Sequence, residues 1–152
     1  MFDDVSDLYQ QVILDHSKRP RNFQVLADAN RVAQGTNPSC GDNYTVYARL
    51  EGDVIQELGF QGSGCAISKA SASLLTECLK GKTKAEVKTI FGQVHALVTT
   101  GATTGAALGK LAVFAGVHKF PARVKCAILP WHAVLAAVEG RSEPVTTEKE
   151  DA

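Results

Sequence analysis

Between Tyr44 and Leu79 the spacing of apolar residues changes once, and that change limits what the chain can fold into. YTVYARL and VIQELGF flank an EGD turn and read as the two strands of a hairpin. After the glycine-rich QGSG, CAISKASASLLTECLK carries small and apolar residues on a helical period, with Gly81 as its C-terminal stop. Any fold open to this chain must seat a hairpin and a helix side by side at that loop, and Cys65 opens the helix.

The remaining elements follow from the same periodicities. Residues 4–17 place Val5, Leu8, Tyr9, Val12 and Ile13 at helical spacing, and Lys18-Arg19-Pro20 closes them. Pro20 to Gly41 is rich in Pro, Asn, Gly and Ser and reads as irregular. Thr83-Lys84-Ala85-Glu86 has the form of a capping box before a third helix reaching about Val98. Residues 105–116 read as a short apolar helix, HKFPARVKC as a loop, and AILPWHAVLAAVEG as a last helix, with Trp131 in the core. This gives one domain over residues 1–140 and a polar tail, 141–152, expected to be disordered.

Composition narrows the function classes. A 152-residue chain that is 45% hydrophobic can bury a core without metal or disulfides. Sixteen basic residues balance sixteen acidic ones, with no basic cluster interleaved with aromatics, which argues against nucleic acid as a partner. The acidic start MFDDVSDLYQ does not read as a signal peptide, and no apolar run is long enough to span a membrane. A cytoplasmic protein is expected, in which the four cysteines are ligands, nucleophiles or core residues rather than disulfides.

Three of the cysteines fall at element ends: Cys40 in the turn NPSCGD, Cys65 at the strand-to-helix junction and Cys126 where the last loop meets the last helix. Cys78 lies thirteen residues beyond Cys65 in one helix, hence roughly 20 Å along its axis, and reads as a half-buried helix residue. Cys40, Cys65 and Cys126 with Asp42 would supply three sulfurs and an oxygen for a four-coordinate metal, and Gly41 lets two ligands come from one turn. Spacing alone leaves open that these are three unrelated buried thiols. Helix N-termini at Cys65 and Cys126, with Arg123 and Lys125 nearby, would offset the negative charge of such a site, although both cations also read as ordinary solvated residues. His16, His95, His118 and His132 have no mutual metal-ligand spacing. The GSG before Cys65 lacks a following GKS or GKT, so it does not read as a phosphate loop.

LYQQVILDHSKRPRNF, NPSCGD, FQGSGCAISKASASLLTECLKGK and PARVKCAIL together resemble the SufU branch of the IscU-like (NifU N-terminal-like) iron–sulfur assembly family, over roughly Leu8 to Glu139. The resemblance implies an α+β fold, a small antiparallel sheet with helices packed against it. It also implies a zinc ion held by Cys40, Asp42, Cys65 and Cys126, with Cys78 outside the ligand set. IscU-like scaffolds, which build a [2Fe-2S] cluster, carry a His before the third cysteine; here Lys125 stands there, and Cys65 and Cys126 are 61 positions apart, as in the SufU pattern.

That pattern implies a zinc-dependent sulfurtransferase that accepts sulfur from a SufS-type cysteine desulfurase and passes it to the SufBCD machinery. Cys40 is then the acceptor, released when a histidine of the desulfurase takes its place on the metal, and Asp42 tunes the site. The alternative within the family is an IscU-like [2Fe-2S] scaffold. His16 falls in the matched LDHSKRPRN segment, which suggests a docking role. Pro130 departs from the alanine common in the family between the Leu and Trp of the last motif, so the last helix is expected to begin close to Cys126.

Overall fold

The computed structural model describes residues 5–101, 109–141 and 143–147. In chain order they form α1 (Val5–Lys18), β1 (Arg31–Asn37), β2 (Asp42–Glu51), β3 (Val54–Ser63), α2 (Ala66–Leu79), α3 (Lys84–Thr100), a 3-10 helix (Gly109–Lys119), α4 (Pro121–Val138) and β4 (Val145–Thr146). The strands make a four-stranded sheet in the order β3-β2-β1-β4, antiparallel except where β4 runs parallel to β1. α4 packs on β1 and β2, α2 on α4, and α1 on α2, which is the expected α+β arrangement. No helix among the described residues is long and apolar enough to cross a membrane.

Strand alternation builds the core. Asp42, Tyr44, Val46, Ala48 and Leu50 point from β2 toward the helices and are buried. The inward residues of β1 are Ala33, Gly35 and Asn37. A Cβ on Gly35 would stand 3.0 Å from Leu129 and 3.4 Å from Ala133, so α4 lies almost on the strand backbone. This strand falls inside the stretch expected to be irregular. Its buried face is small or polar, so no apolar alternation marks it.

The expected capping box closes the start of α3: Glu86 N donates to Thr83 Oγ1 at 3.2 Å, and Thr83 N donates to Glu86 Oε1 at 2.9 Å. Three further expectations require correction. First, α4 begins at Pro121, inside the segment expected to be a loop, because proline suits the first helical turn; Cys126 therefore sits well inside the helix rather than at its start. Pro130 is also interior, and its missing N–H leaves the Cys126 carbonyl without its helical donor. Second, the apolar segment before α4 is a 3-10 helix over Gly109–Lys119, and residues 105–108 of the expected helix lie outside the described residues. Third, the tail is not uniformly unstructured. Val145 and Thr146 pair with Gly35 and Thr36, and Thr147 is buried, because its side chain meets a buried polar partner on β1; residues 142 and 148–152 lie outside the described residues.

His16, for which the matched LDHSKRPRN segment suggests a docking role, is 2% exposed and ties α1 to α2. Its Nδ1 lies 2.7 Å from Ser73 Oγ, and that hydroxyl accepts from Arg21 N at 2.8 Å. Ser73 Oγ thus bridges the His16 ring and the Arg21 backbone. Burial pushes the His16 pKa down, Arg21 adds to this, and Glu77 at 3.9 Å opposes it. Below about pH 6.5, the ordinary histidine value, the unfolded chain binds a proton that the folded chain resists, so stability falls as pH drops through that window. The melting temperature is expected to fall between about pH 7.5 and pH 5.5, and a His16→Asn variant, less stable throughout, should show a flatter profile. Parallel profiles for the two proteins would remove His16 as the cause.

Candidate metal centre

β1 and β2 pair to their ends, where Asn37 faces Asp42, and the loop 38–41 between them forms the hairpin tip. Cys40 N and Gly41 N both donate to Asn37 O, at 3.2 and 2.9 Å, and Gly41 adopts φ 74°, a conformation that favours glycine. This tight turn leaves Cys40 exposed and sends the Asp42 side chain inward, where it is 2% exposed. Donor atoms of Cys40, Asp42 and Cys126 all lie within 4.8 Å of one another.

Cys65 is the N-cap of α2. Its Sγ accepts from Ser68 N at 3.4 Å, and it stands beside Cys126 but outside the mutual 4.8 Å group. The Cys126 thiol donates to the Cys65 sulfur and, helped by Ser68 and opposed by burial, brings Cys65 down to about 6. The same contact, with burial, pushes Cys126 up. Cys65 sits at the N-terminus of α2, whereas Cys126 lies inside α4, so of the two helix N-termini expected at the site only that of α2 is found among the described residues.

Asp42 is the hub. Oδ1 accepts from Cys65 N at 2.9 Å and from Ser68 Oγ at 3.1 Å, and Oδ2 accepts from Asn37 Nδ2 at 3.1 Å. Tyr44 Oη lies 2.9 Å from Ser68 Oγ. A carboxylate only accepts, so Ser68 donates to Asp42 and Tyr44 donates to Ser68. Burial pushes the Tyr44 phenol well above its ordinary range, which keeps that proton in place. The sulfurs of Cys40 and Cys126 and the firmly oriented Asp42 carboxylate, with the Cys65 sulfur beside Cys126, are donors of the kind a thiolate-binding metal such as zinc takes.

A cavity of about 680 Å³ opens over the sulfurs of Cys40, Cys65 and Cys126, with Leu14 and Phe120 on its rim. Arg123 lines it too, its guanidinium 5.0 Å from the centre of the Phe120 ring. Cys78 lies apart, in a second cavity with Leu74, Glu77, Lys110 and Leu111, where burial pushes its thiol up. Asn37, Ser68 and Thr147 shape the centre without having been singled out in the sequence. Ser68 was discoverable as the residue three positions after an N-cap, and Asn37 as the first residue of NPSCGD.

The model of the NifU-like N terminal domain matches residues 8–127. The zinc-dependent sulfurtransferase SufU of Bacillus subtilis is 42% identical over 130 residues, covering 84% of this chain and 86% of that protein. The iron-sulfur cluster assembly scaffold protein IscU of Streptococcus pyogenes is 36% identical over 137 residues, covering 89% and 85%. Among solved structures, FiSufU of the thermophile Fervidobacterium islandicum AW-1, assigned to iron-sulfur cluster assembly in the SUF system, superposes with a TM-score of 0.81 at 34% identity. That match covers 89% of this chain and 99% of FiSufU. The sulfur-bearing hairpin tip, the cysteine-capped α2 and the four-stranded sheet thus sit in a chain that belongs to the NifU-like N-terminal domain family, together with SufU and IscU proteins.

Proposed function

We propose that this protein serves iron–sulfur cluster assembly as a zinc-dependent sulfurtransferase, with Cys40 accepting sulfur from a SufS-type cysteine desulfurase and passing it to a SufBCD-type assembly complex. The observation that carries this reading is the asymmetry of the centre. Asp42 and Cys126 are buried, whereas Cys40, within 4.8 Å of both, is exposed at a hairpin tip beneath an open cavity. The 42% identity to the B. subtilis sulfurtransferase supports the same choice.

Cys40, Asp42, Cys65 and Cys126 are the residues that would hold the metal. Bound zinc would keep the sulfurs as thiolates without redox chemistry of its own. The chain's residues account for the transfer. The Cys40 thiolate attacks the outer sulfur of the desulfurase persulfide, forming a new S–S bond on Cys40 as the old S–S bond breaks and the desulfurase cysteine leaves as a thiolate. The exchange is redox-neutral and needs no other reactant. Cys65 and Cys126, held on α2 and α4, stay behind, and Arg123 at the cavity edge offers positive charge to the anionic sulfur.

An IscU-like [2Fe-2S] scaffold is the second reading, favoured by the match to the S. pyogenes protein over 89% of the chain. Elemental analysis of protein produced without added iron, combined with an assay of desulfurase turnover, separates the two. Stoichiometric zinc and faster desulfurase turnover are expected. Asp42→Ala, which removes both a donor and the hub of the hydrogen bonds, should lose most of the zinc. A stable reconstituted cluster without stimulation would favour the scaffold.

A further inference from the structure

Asn37 is 0% exposed, and its amide spans the centre. Nδ2 donates to Asp42 Oδ2 at 3.1 Å and reaches Cys126 Sγ at 3.5 Å. Oδ1 accepts from Thr147 Oγ1 at 2.8 Å, across 110 positions of sequence. Thr147 is held there by the β4 pairing and by its own N–H donating to Thr36 O at 3.1 Å.

We propose that Asn37 is a positioning residue for the metal centre and that Thr147, from the C-terminal segment, fixes the orientation of its amide. The inference rests on the metal reading above and goes beyond it, since neither residue is a ligand. A carboxylate and a ligand thiolate can only accept, so the NH2 end of Asn37 must face Asp42 and Cys126, and its oxygen must face away. In that pose Oδ1 is buried and needs a donor, which Thr147 supplies. A flipped amide would set its oxygen against the Asp42 carboxylate, and the Thr147 hydroxyl favours the correct pose. The amide also adds no charge to a centre that is already anionic; an aspartate at position 37 would face Asp42 with a second carboxylate. Asn37 O anchors the Cys40 turn as well, so one residue aligns a ligand on β2, a ligand on α4 and the tip that carries Cys40.

Outer-shell partners that orient metal ligands typically change affinity by 10–100-fold when removed. Zinc affinity is measured by chelator competition on the full chain, with Co²⁺ spectra as a second view of thiolate ligation and circular dichroism of the metal-free proteins as a check on folding. Asn37→Ala is expected to weaken zinc binding by about 10–100-fold. Thr147→Val, which keeps the shape and removes the hydroxyl, should weaken it by roughly tenfold and alter the Co²⁺ bands, while Thr147→Ser stays near wild type. Wild-type affinity in folded Thr147→Val would overturn the role of Thr147 even if that variant melts earlier, and an equal loss in Thr147→Ser would do the same. Unchanged affinity in folded Asn37→Ala would overturn the inference as a whole. Wild-type protein that holds no zinc would defeat the metal reading itself, an outcome seen before any variant is compared.

Discussion

Cys40→Ala is expected to abolish sulfur acceptance, returning desulfurase turnover to the level of the desulfurase alone, while the fold persists. The two halves of this expectation have separate physical causes. Cys40 is exposed on a hairpin tip whose shape comes from backbone bonds to Asn37 O and from Gly41, not from the thiol. Exposed substitutions of this kind change stability by about 0.5 kcal/mol or less, so the metal-free variant should melt within a few degrees of the metal-free wild type. The other sulfurs are less free to accept. Cys126 is buried, and Cys78 faces a different cavity with a raised pKa. Cys65, although it lines the same cavity, is half-buried and accepts from Ser68 N as the α2 N-cap. Turnover assays with a cysteine desulfurase, alongside thermal melts, read both halves. Full stimulation by Cys40→Ala would move the acceptor to another sulfur.

Gly64→Ala is expected to cause a large joint loss of stability and metal binding from a single added methyl group. Gly64 precedes the α2 N-cap, and its own surface is open, so exposure alone would suggest tolerance. A Cβ there would nevertheless collide with Asp42 Oδ1, stand 2.5 Å from Ser68 Oγ and stand 2.7 Å from Tyr44 Oη. These three atoms form the hydrogen-bond chain that orients the carboxylate, so relief must come from breaking it. Overpacking costs about 1–3 kcal/mol, and a buried polar group left without a partner adds about 1–3 kcal/mol. A total of about 3 kcal/mol corresponds to a drop of roughly 6–12 °C in melting temperature for a chain of this size. Zinc binding should fall with it. A Gly64→Ala protein that melts and binds zinc like wild type would show that Asp42 does not depend on this chain of donors.

Where the sequence was legible, a local physical rule was at work. The hairpin of β2 and β3, the Cys65 start of α2 and the Thr83–Glu86 box all sit within short windows in which periodicity and capping chemistry coincide. Cys40 and Asp42 could be paired because one glycine-bearing turn holds both. β1 carries no apolar alternation because close packing of α4 requires small inward residues. The start of α4 is hard to place because FPARVK reads as a loop, although Pro121 suits a first turn. The Thr147–Asn37 bond was out of reach for a different reason: a two-residue strand and a contact across 110 positions leave no periodic trace.

Peptide mass spectrometry after incubation with a cysteine desulfurase and free cysteine, without reductant, tests the central claim most directly. A single additional sulfur on the peptide carrying Cys40, absent when the desulfurase is omitted, is the predicted result. Sulfur found only on Cys78, or none on the protein at all while it builds a stable iron–sulfur cluster, would contradict it.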